Sequence, residues 1–566
     1  MKIKNLFIFL FAGALMASCG TTKTAKTAKG VDEMVFEPLE WNMSPRKTPL
    51  TEEEQNRWAH MDLNKDSIPG MSVDEAYEYL GDKPATTVIV AVIDSGIDID
   101  HEEFEGEVWT NEDEIPGNGI DDDKNGYTDD IHGWNFLGGE KGKPAPMRLE
   151  ITRIVAKLAP KYKGKTADEI PEADKEEFEY YQKLSAEIEK ELQDAQSKLT
   201  FYEGMYNTLE KAYKIAVKGL GKEDFTAGEL ENFNSDDEDF NSAKPMMLRI
   251  LKSGAKIEDG MKEIKSGVDY FKSKVDYMYN VDFHGRLTGD NPEDINDVPY
   301  GNPYVTGSKD DEIHGTHVSG IICALRDNGK GVNGVTNHVK LMPVRAIPDG
   351  DEWDKDVALA IRYAVDNGAK VINMSFGKKY SPHKEWVLDA IKYAADHDVL
   401  IVKAAGNNGM SVDETLHYPT DSPDDGDIEI ADNVISVGAS SQFLDENICA
   451  SFSNYGKKRV DVFAPGLRIY NTFPKNEYKA ISGTSMASPQ VAGVAALLRS
   501  YFPQLTAKEV KHIIMKSGVT FDHTVKQPNE DGETVMVPFS SLSRTGKLVN
   551  AYAAVRMADE YVKNKK

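Results

Sequence analysis

The chain has 566 residues, of which 94 are Asp or Glu and 66 are Lys or Arg, giving a formal net charge of −28. So large an acidic excess argues against a nucleic-acid partner and against electrostatic adhesion to anionic lipid; solubility is its plain explanation. With 40% hydrophobic residues the chain can bury a sizeable core, and its length allows two to four domains or one large domain carrying an insertion.

Lys2 and Lys4 precede an apolar run from Leu6 to Met16, the pattern of a secretory signal and too short for a comfortable membrane span. The run ends Leu15-Met16-Ala17-Ser18-Cys19-Gly20, which resembles the bacterial lipobox. That resemblance implies a signal peptide over 1–18 and lipidation of Cys19; the alternative is an ordinary signal peptide that happens to hold a cysteine. Residues 19–40, polar as far as Gly30, read as a tether. No acidic run follows Cys19, so the expected location is the periplasm-facing side of an outer membrane, with the membrane contact made by the lipid. Cys323 and Cys449, in apolar surroundings, read as buried small hydrophobes rather than as a disulfide, so the fold rests on core packing.

Residues 41–85 form an acidic lead-in, within which Ser72 to Tyr79 reads as a helix N-capped by Ser72, with Glu75 completing a capping box. From Thr87 the pattern becomes α/β. Thr87 to Ile93 is an almost continuous β-branched run, as a strand buried on both faces requires. Similar runs recur at 341–344, 371–374, 399–402 and 434–437, with helical patterns between them, at Lys355 to Asn367 and Trp386 to His397. Alternation of this kind predicts a mostly parallel central sheet with helices on both sides, in three layers. Ligands bind at the carboxyl ends of such strands, where Asp94 and Asn407 fall.

Residues 146–285 interrupt the pattern. Phe178, Tyr181, Leu184, Ile188, Leu192, Ala195 and Leu199 recur at helical spacing among Glu and Lys, and Met246 to Tyr279 repeats the pattern. Two long helices forming an antiparallel hairpin are predicted, with Gly221 to Lys244 as the loop at the tip. The insertion reads either as a structural lid or spacer, or as an arm that gates substrate or binds a partner. Ahead of it, Asp121, Asp123, Asn125 and Asp129 stand at positions 1, 3, 5 and 9 of a calcium-loop pattern with Gly126 at 6; His132 replaces the glutamate at 12. A structural calcium and a hydrogen-bonded Asx-rich turn are both open there.

Three segments carry chemistry. Gly483-Thr484-Ser485-Met486-Ala487-Ser488-Pro489 places a serine at the start of an apolar helix; His314-Gly315-Thr316-His317 offers an imidazole; Ile93-Asp94-Ser95-Gly96 offers a carboxylate at a strand end. A serine hydroxyl needs a base, and the base an orienting carboxylate. With Ala404-Ala405-Gly406-Asn407 placed between histidine and serine, and the order Asp, His, Ser, these motifs resemble the subtilisin-like serine peptidases over about 87–140 and 300–555. The resemblance implies Ser485 as nucleophile, His314 as base, Asp94 as its orienter and Asn407 as oxyanion donor, with His317 a structural neighbour. It also implies that the segment Ile372 to Gly377 pairs with an extended peptide, and that Ser375, Phe376, Gly377, Ala404, Ala405 and Gly406 bound an open apolar pocket beside the serine.

The peptidase domain would then comprise 86–145 and 286–566, interrupted by the helical insertion. The lead-in is too short for the family's usual inhibitory pro-domain. Such chemistry asks for no cofactor, and the partners are protein or peptide substrates; oligomeric state is not legible. With the helical insertion, the motifs resemble lipoprotein peptidases of Bacteroidetes. The chief competing class is a dormant member of the fold that binds or assembles through its helical arm; a non-peptide acyl hydrolase comes third.

Overall fold

The computed structural model describes residues 30–33, 35–36, 39–423, 429–528 and 532–565; the signal segment and Cys19 lie outside the described residues. The strands in chain order are β1 (Val88–Asp94), β2 (Trp134–Asn135), β3 (Val339–Arg345), β4 (Val371–Met374), β5 (Leu400–Ala404), β6 (Val434–Ser440) and β7 (Val462–Pro465). There follow β8 (Ile469–Phe473), β9 (Glu477–Ile481), β10 (Val519–Thr520), β11 (Thr524–Pro528), β12 (Thr534–Pro538) and β13 (Lys547–Leu548). Nine of them form one sheet, ordered β10-β13-β7-β6-β5-β4-β1-β3-β2; β8–β9 and β11–β12 are separate hairpins. Among the described residues of the large sheet, only the β10–β13 pairing is antiparallel.

Alternate residues of β1 explain why its sequence is apolar throughout. Val90 and Val92 enter one core, with Val318 and Val491; Ala91 and Ile93 enter the other, with Val357, Ile361, Val387 and Ile391. This is the three-layer α/β arrangement that the runs of Val and Ile predict. β1 pairs with β3 on one side and β4 on the other, so its carboxyl end, Asp94, lies where the strand order turns back.

The lead-in is packed into the same body. Trp58 and Met71 are buried in the first core, and Trp58 Nε1 donates to Leu467 O at 3.1 Å. Its helix α1 (Val73–Leu80) forms as expected, but Ser72 does not cap it. Ser72 has φ 53°, which turns its hydroxyl away from the helix, and Oγ accepts from Asn550 Nδ2 at 2.7 Å instead. A tertiary contact has displaced the local capping box.

The insertion is helical but not a two-helix hairpin. α2 (Glu150–Tyr162) precedes the long α3 (Lys175–Leu220), and the return is split into α4 (Glu238–Lys252) and α5 (Ile257–Ser273). Gly254, at φ 88°, stops the helix that the apolar spacing would have carried through, and both pieces fold back on α3. Leu209, Ala212 and Ala216 of α3 meet Phe240, Met247, Ile257 and Ile264 in their own small core. The predicted tip loop holds a further short helix, Ala227–Asn232. Among the described residues no helix is long and apolar enough to cross a membrane. Cys323 and Cys449 are free and buried.

Candidate active site

Three further helices frame the site: α6 (His314–Cys323), α7 (Asp354–Asp366) and α9 (Thr484–Tyr501), with α8 (Lys384–Asp396) between the last two in the chain. His314 opens α6 at the end of β1. The approach depends on Gly315, because a Cβ there would lie 2.4 Å from Gly96 O and 3.1 Å from Asp94 Cβ. His314 Nδ1 donates to Asp94 Oδ1 at 2.8 Å, and the same oxygen accepts the Ser95 N–H. A carboxylate only accepts, so Nδ1 carries the proton and Nε2 of the neutral ring is the free acceptor. The Asp94 side chain is 2% exposed and that of His314 36%: a buried charge orients an accessible base. Burial pulls the imidazolium down, but the charge and hydrogen bond of Asp94 more than offset it, and His314 titrates above the ordinary histidine range.

His317, one turn on, is buried; Nε2 donates to Ile469 O and Lys479 O at 3.0 and 3.1 Å, tying α6 to the β8–β9 hairpin. Burial holds it neutral, with its pKa down at about 4. It is the structural neighbour that the sequence implied.

Every residue of α9 is buried except Ser485. Pro489 has no N–H to return to the Ser485 carbonyl, and that carbonyl accepts from Ser375 Oγ at 2.9 Å instead. Ser375 Oγ also contacts Ser488 Oγ at 2.8 Å and accepts from Asn373 Nδ2 at 2.9 Å, while Ser488 Oγ donates to Asn373 Oδ1. This knot fixes the start of α9 on the end of β4. The side chain of Ser375 is therefore used inside the protein, while its carbonyl faces the site. Ser485 Oγ donates to that carbonyl at 3.0 Å. The hydroxyl thus donates to Ser375 O and not to His314; catalytic hydrogen bonds often tighten only once substrate binds.

Asn407 follows β5. Its Oδ1 accepts from Thr484 N at 2.8 Å and Thr484 Oγ1 at 2.9 Å, and Thr484 Oγ1 accepts from Gly406 N at 3.0 Å. With the oxygen held twice, Nδ2 is the end left to donate. The neighbouring Asn408 is held through its backbone N–H by Asn454 Oδ1, and Asn454 Nδ2 donates to Ala405 O. Thr484 and Asn454 are positioning residues that the sequence reading missed; the Thr484 hydroxyl one residue before the serine was the available signal.

The walls of the pocket come together as expected, but the pocket is not open. Ala404, Ala405 and Gly406 are buried, Phe376 and Gly377 half-buried. Between the walls stands His417: a Cβ on Gly377 would lie 2.2 Å from its Cε1, and one on Gly406 2.9 Å from its Nε2. The small residues make room for this ring rather than for a large cavity. Burial, helped by the charge of Lys403, pushes the His417 pKa down to about 3, so it is neutral. Nothing in the sequence near His417 marks it, since it arrives from a separate loop.

The four expected calcium ligands do not surround one point. Asp121 accepts from the N–H groups of Asn125 and Gly126, and Asp123 Oδ1 from Asn125 N. Asp129, at φ 55°, turns its carboxylate to the N–H groups of Gly117, Asn118 and Gly119. The acidic oxygens that do converge, within 4.8 Å of one another, belong to Glu114, Asp123 and Asp130. Asn111 and Asn125 amides bridge Asp123 and Asp130, Glu114 accepts the backbone N–H groups of Asp122, Asp123 and Asp129, and burial raises Asp130 to about 6. The Asx-rich turns satisfy the loop's backbone, while the oxygen-only donor set of this second cluster fits a hard cation such as calcium.

The "Subtilase family" model matches residues 85–535. A thermophilic serine proteinase of Bacillus sp. (strain AK1) is 44% identical over 189 residues, 33% of this chain and 42% of that protein. Subtilisin DY of Bacillus licheniformis is 38% identical over 218 residues, 38% of this chain and 73% of that protein. The cell wall-associated protease of Bacillus subtilis (strain 168) is 38% identical over 209 residues, 37% of this chain but 21% of that protein. The chain thus spans less than half the length of two of these three relatives. The solved structure of the prenylagaramide maturation protease PagA is 29% identical, with TM-score 0.35, covering 43% of this chain and 82% of that one. With its matched region running through the site just described, this chain belongs to the subtilase family.

Proposed function

We propose that this subtilase is a serine endopeptidase that hydrolyses protein or peptide substrates through an acyl-enzyme on Ser485. His314 Nε2 takes the Ser485 proton as Oγ bonds to the scissile carbonyl carbon, and returns it to the leaving amine as the C–N bond breaks; water then repeats the cycle on the ester. Asp94 fixes the tautomer. Asn407 Nδ2 and the free N–H groups at the start of α9 stabilise the oxyanion. The observation that carries this reading is the buried Asp94–His314 pair beside the one unburied residue of α9, with Asn407 locked by Thr484. The names of the relatives, serine proteinase and subtilisin, support it.

The bond from Ser485 Oγ to Ser375 O is the one observation favouring a dormant fold. A fluorophosphonate probe separates the two: the folded wild type is labelled and Ser485→Ala is not. A folded wild type that resists labelling and cleaves no peptide ends the enzyme reading.

The same proposal has the protein exported and held by lipid on Cys19 at the periplasmic face of an outer membrane, supported by the sequence of residues 1–20. Cys19→Ala is expected to move it from the membrane to the soluble fraction. A structural calcium, if carried, would be held by Glu114, Asp123 and Asp130, where it would neutralise the gathered carboxylates and stiffen the loop after Asp94.

A further inference from the structure

The proposed cleft follows the stretch that continues β4. Ser375 marks its reacting end, since the Ser375 carbonyl lies 3.0 Å from Ser485 Oγ. A peptide cannot run back along Val371–Met374, which is paired on both sides with β1 and β5, so it runs towards Lys378. Facing that stretch is the segment 348–354. Asp349 donates its backbone N–H to Ala145 O at 3.0 Å and accepts from Met147 N at 2.8 Å, on the side of the insertion. Gly350, at φ 142°, bends the segment there, and the Glu352 carbonyl comes to face Lys378.

Three residues past Ser375, Lys378 crosses the gap. Its Nζ donates to Glu352 O and Asp354 Oδ1 at 2.8 Å and to Glu150 Oε2 at 2.7 Å. Arg153 adds donations to Glu352 O and Asp351 O, both at 2.8 Å, and is paired with Glu150. Glu150 and Arg153 belong to α2, the first helix of the insertion. The side chains of Lys378, Glu150, Asp354 and Arg153 are 2–5% exposed, so this is a buried wall and not a loose surface contact. At about 3.3 Å per residue the distance from Ser375 to Lys378 is about 10 Å, room for roughly three residues of substrate.

We propose that the helical insertion, through Glu150 and Arg153 holding Lys378 on Glu352, ends the cleft about three residues upstream of the scissile bond. The substrates taken are then chains that end, or turn out to solvent, at that point. This rests on the reading above, in which Ser485 is the nucleophile and the upstream residues lie beside Ser375–Gly377. A fourth residue continuing the strand would compete for the Glu352 carbonyl, which already has two cationic donors. Displacing them would leave Glu150 and Asp354 buried without their lysine, a steep penalty.

The test is a set of N-acetylated peptides sharing one scissile bond and one downstream sequence, with two, three or six upstream residues. The three added residues are either Gly-rich or β-branched and extended. In the wild type, kcat/KM is expected to rise from two to three residues, to change less than threefold with the Gly-rich extension, and to fall tenfold or more with the extended one. Lys378→Ala is expected to restore the extended peptides at least tenfold relative to the three-residue one. If that variant does not fold, the wild-type series decides alone. An extended series that stays level with the three-residue peptide, or rises, while Ser485 is labelled by fluorophosphonate, overturns the closed end only. Failure of every peptide with Ser485 unlabelled overturns the nucleophile as well, and the closed end with it.

Discussion

Thr484 offers a sharp test of how the oxyanion site is assembled. Its hydroxyl accepts the Gly406 N–H at 3.0 Å and donates to Asn407 Oδ1 at 2.9 Å, while its backbone N–H holds the same oxygen at 2.8 Å. Thr484→Val keeps the shape and removes both hydroxyl bonds. Gly406 N–H is then buried without an acceptor, at a cost of about 1–3 kcal/mol in unfolding free energy. Asn407 keeps one of its two holds. Loss of an entire oxyanion donor costs about 10²–10³ in kcat, a figure that comes from subtilisin's own asparagine. Half-releasing the donor is therefore expected to lower kcat about tenfold, well inside that limit. KM should barely move, because the bond to Nδ2 forms only as charge develops. Thr484→Ser, which returns the hydroxyl, is expected to recover most of kcat. Urea unfolding and steady-state hydrolysis of one peptide suffice. A valine variant that loses stability but keeps kcat within twofold would refute the idea that Thr484 aims Asn407; so would a rise in KM at constant kcat.

The remaining expectations concern charge and space. Asp94 stabilises protonated His314, which cannot take the Ser485 proton, so kcat/KM should climb along an acid limb set above the ordinary histidine range of about 6.5. In Asp94→Asn the limb should shift to lower pH and kcat should drop by about 10⁴; a limb that stays in place counts against the pair. His417→Gly is expected to raise kcat/KM for Phe over Ala at the residue before the cleaved bond at least tenfold, measured as a ratio on paired peptides, since it empties the space between Gly377 and Gly406. For the Glu114–Asp123–Asp130 cluster, a chelator should lower the melting temperature and calcium restore it; an unchanged transition removes the ion from the account.

What could be read in advance was what short windows of sequence control. β4 spans Val371–Met374, the limits its apolar run indicates, because a central parallel strand needs side chains that are apolar on both faces. Asp94 and His314 meet because one ends a strand and the other starts a helix, each set by its own motif. The misreadings share another cause. Ser72 has the local chemistry of a cap, yet Asn550, far along the chain, takes its hydroxyl. The His417 ring fills a pocket whose walls look empty when only the walls are read. The spacing from Met246 to Tyr279 is periodic enough for one helix, and a single left-handed glycine breaks it. Each depends on a contact or a dihedral that hydrophobic periodicity does not encode.

The same long-range contacts decide whether the insertion is a removable ornament. Deleting 146–285 would take Glu150 and Arg153 away from Lys378, which the intact chain buries to 2% exposure, leaving Asp354 as its remaining carboxylate and Glu352 O short of one donor. Breaking a buried pair by removing one partner costs about 3–5 kcal/mol, so the shortened chain should be less stable and its cleft less ordered, rather than a minimal active enzyme. Acid titration tests the same wall without surgery. Burial works to raise the Glu150 carboxyl, but Arg153 and Lys378 outweigh it and hold it at about 2. A depressed carboxylate stabilises the fold above its unfolded pKa near 4.3 and loses that contribution as pH falls towards 2. The contribution is on the order of 3 kcal/mol, and Glu150→Gln should lose it at neutral pH while flattening the decline below pH 4. If Glu150→Gln is as stable as the wild type at pH 7, the insertion is not welded to the cleft through this wall, and the limit on substrate length needs another cause.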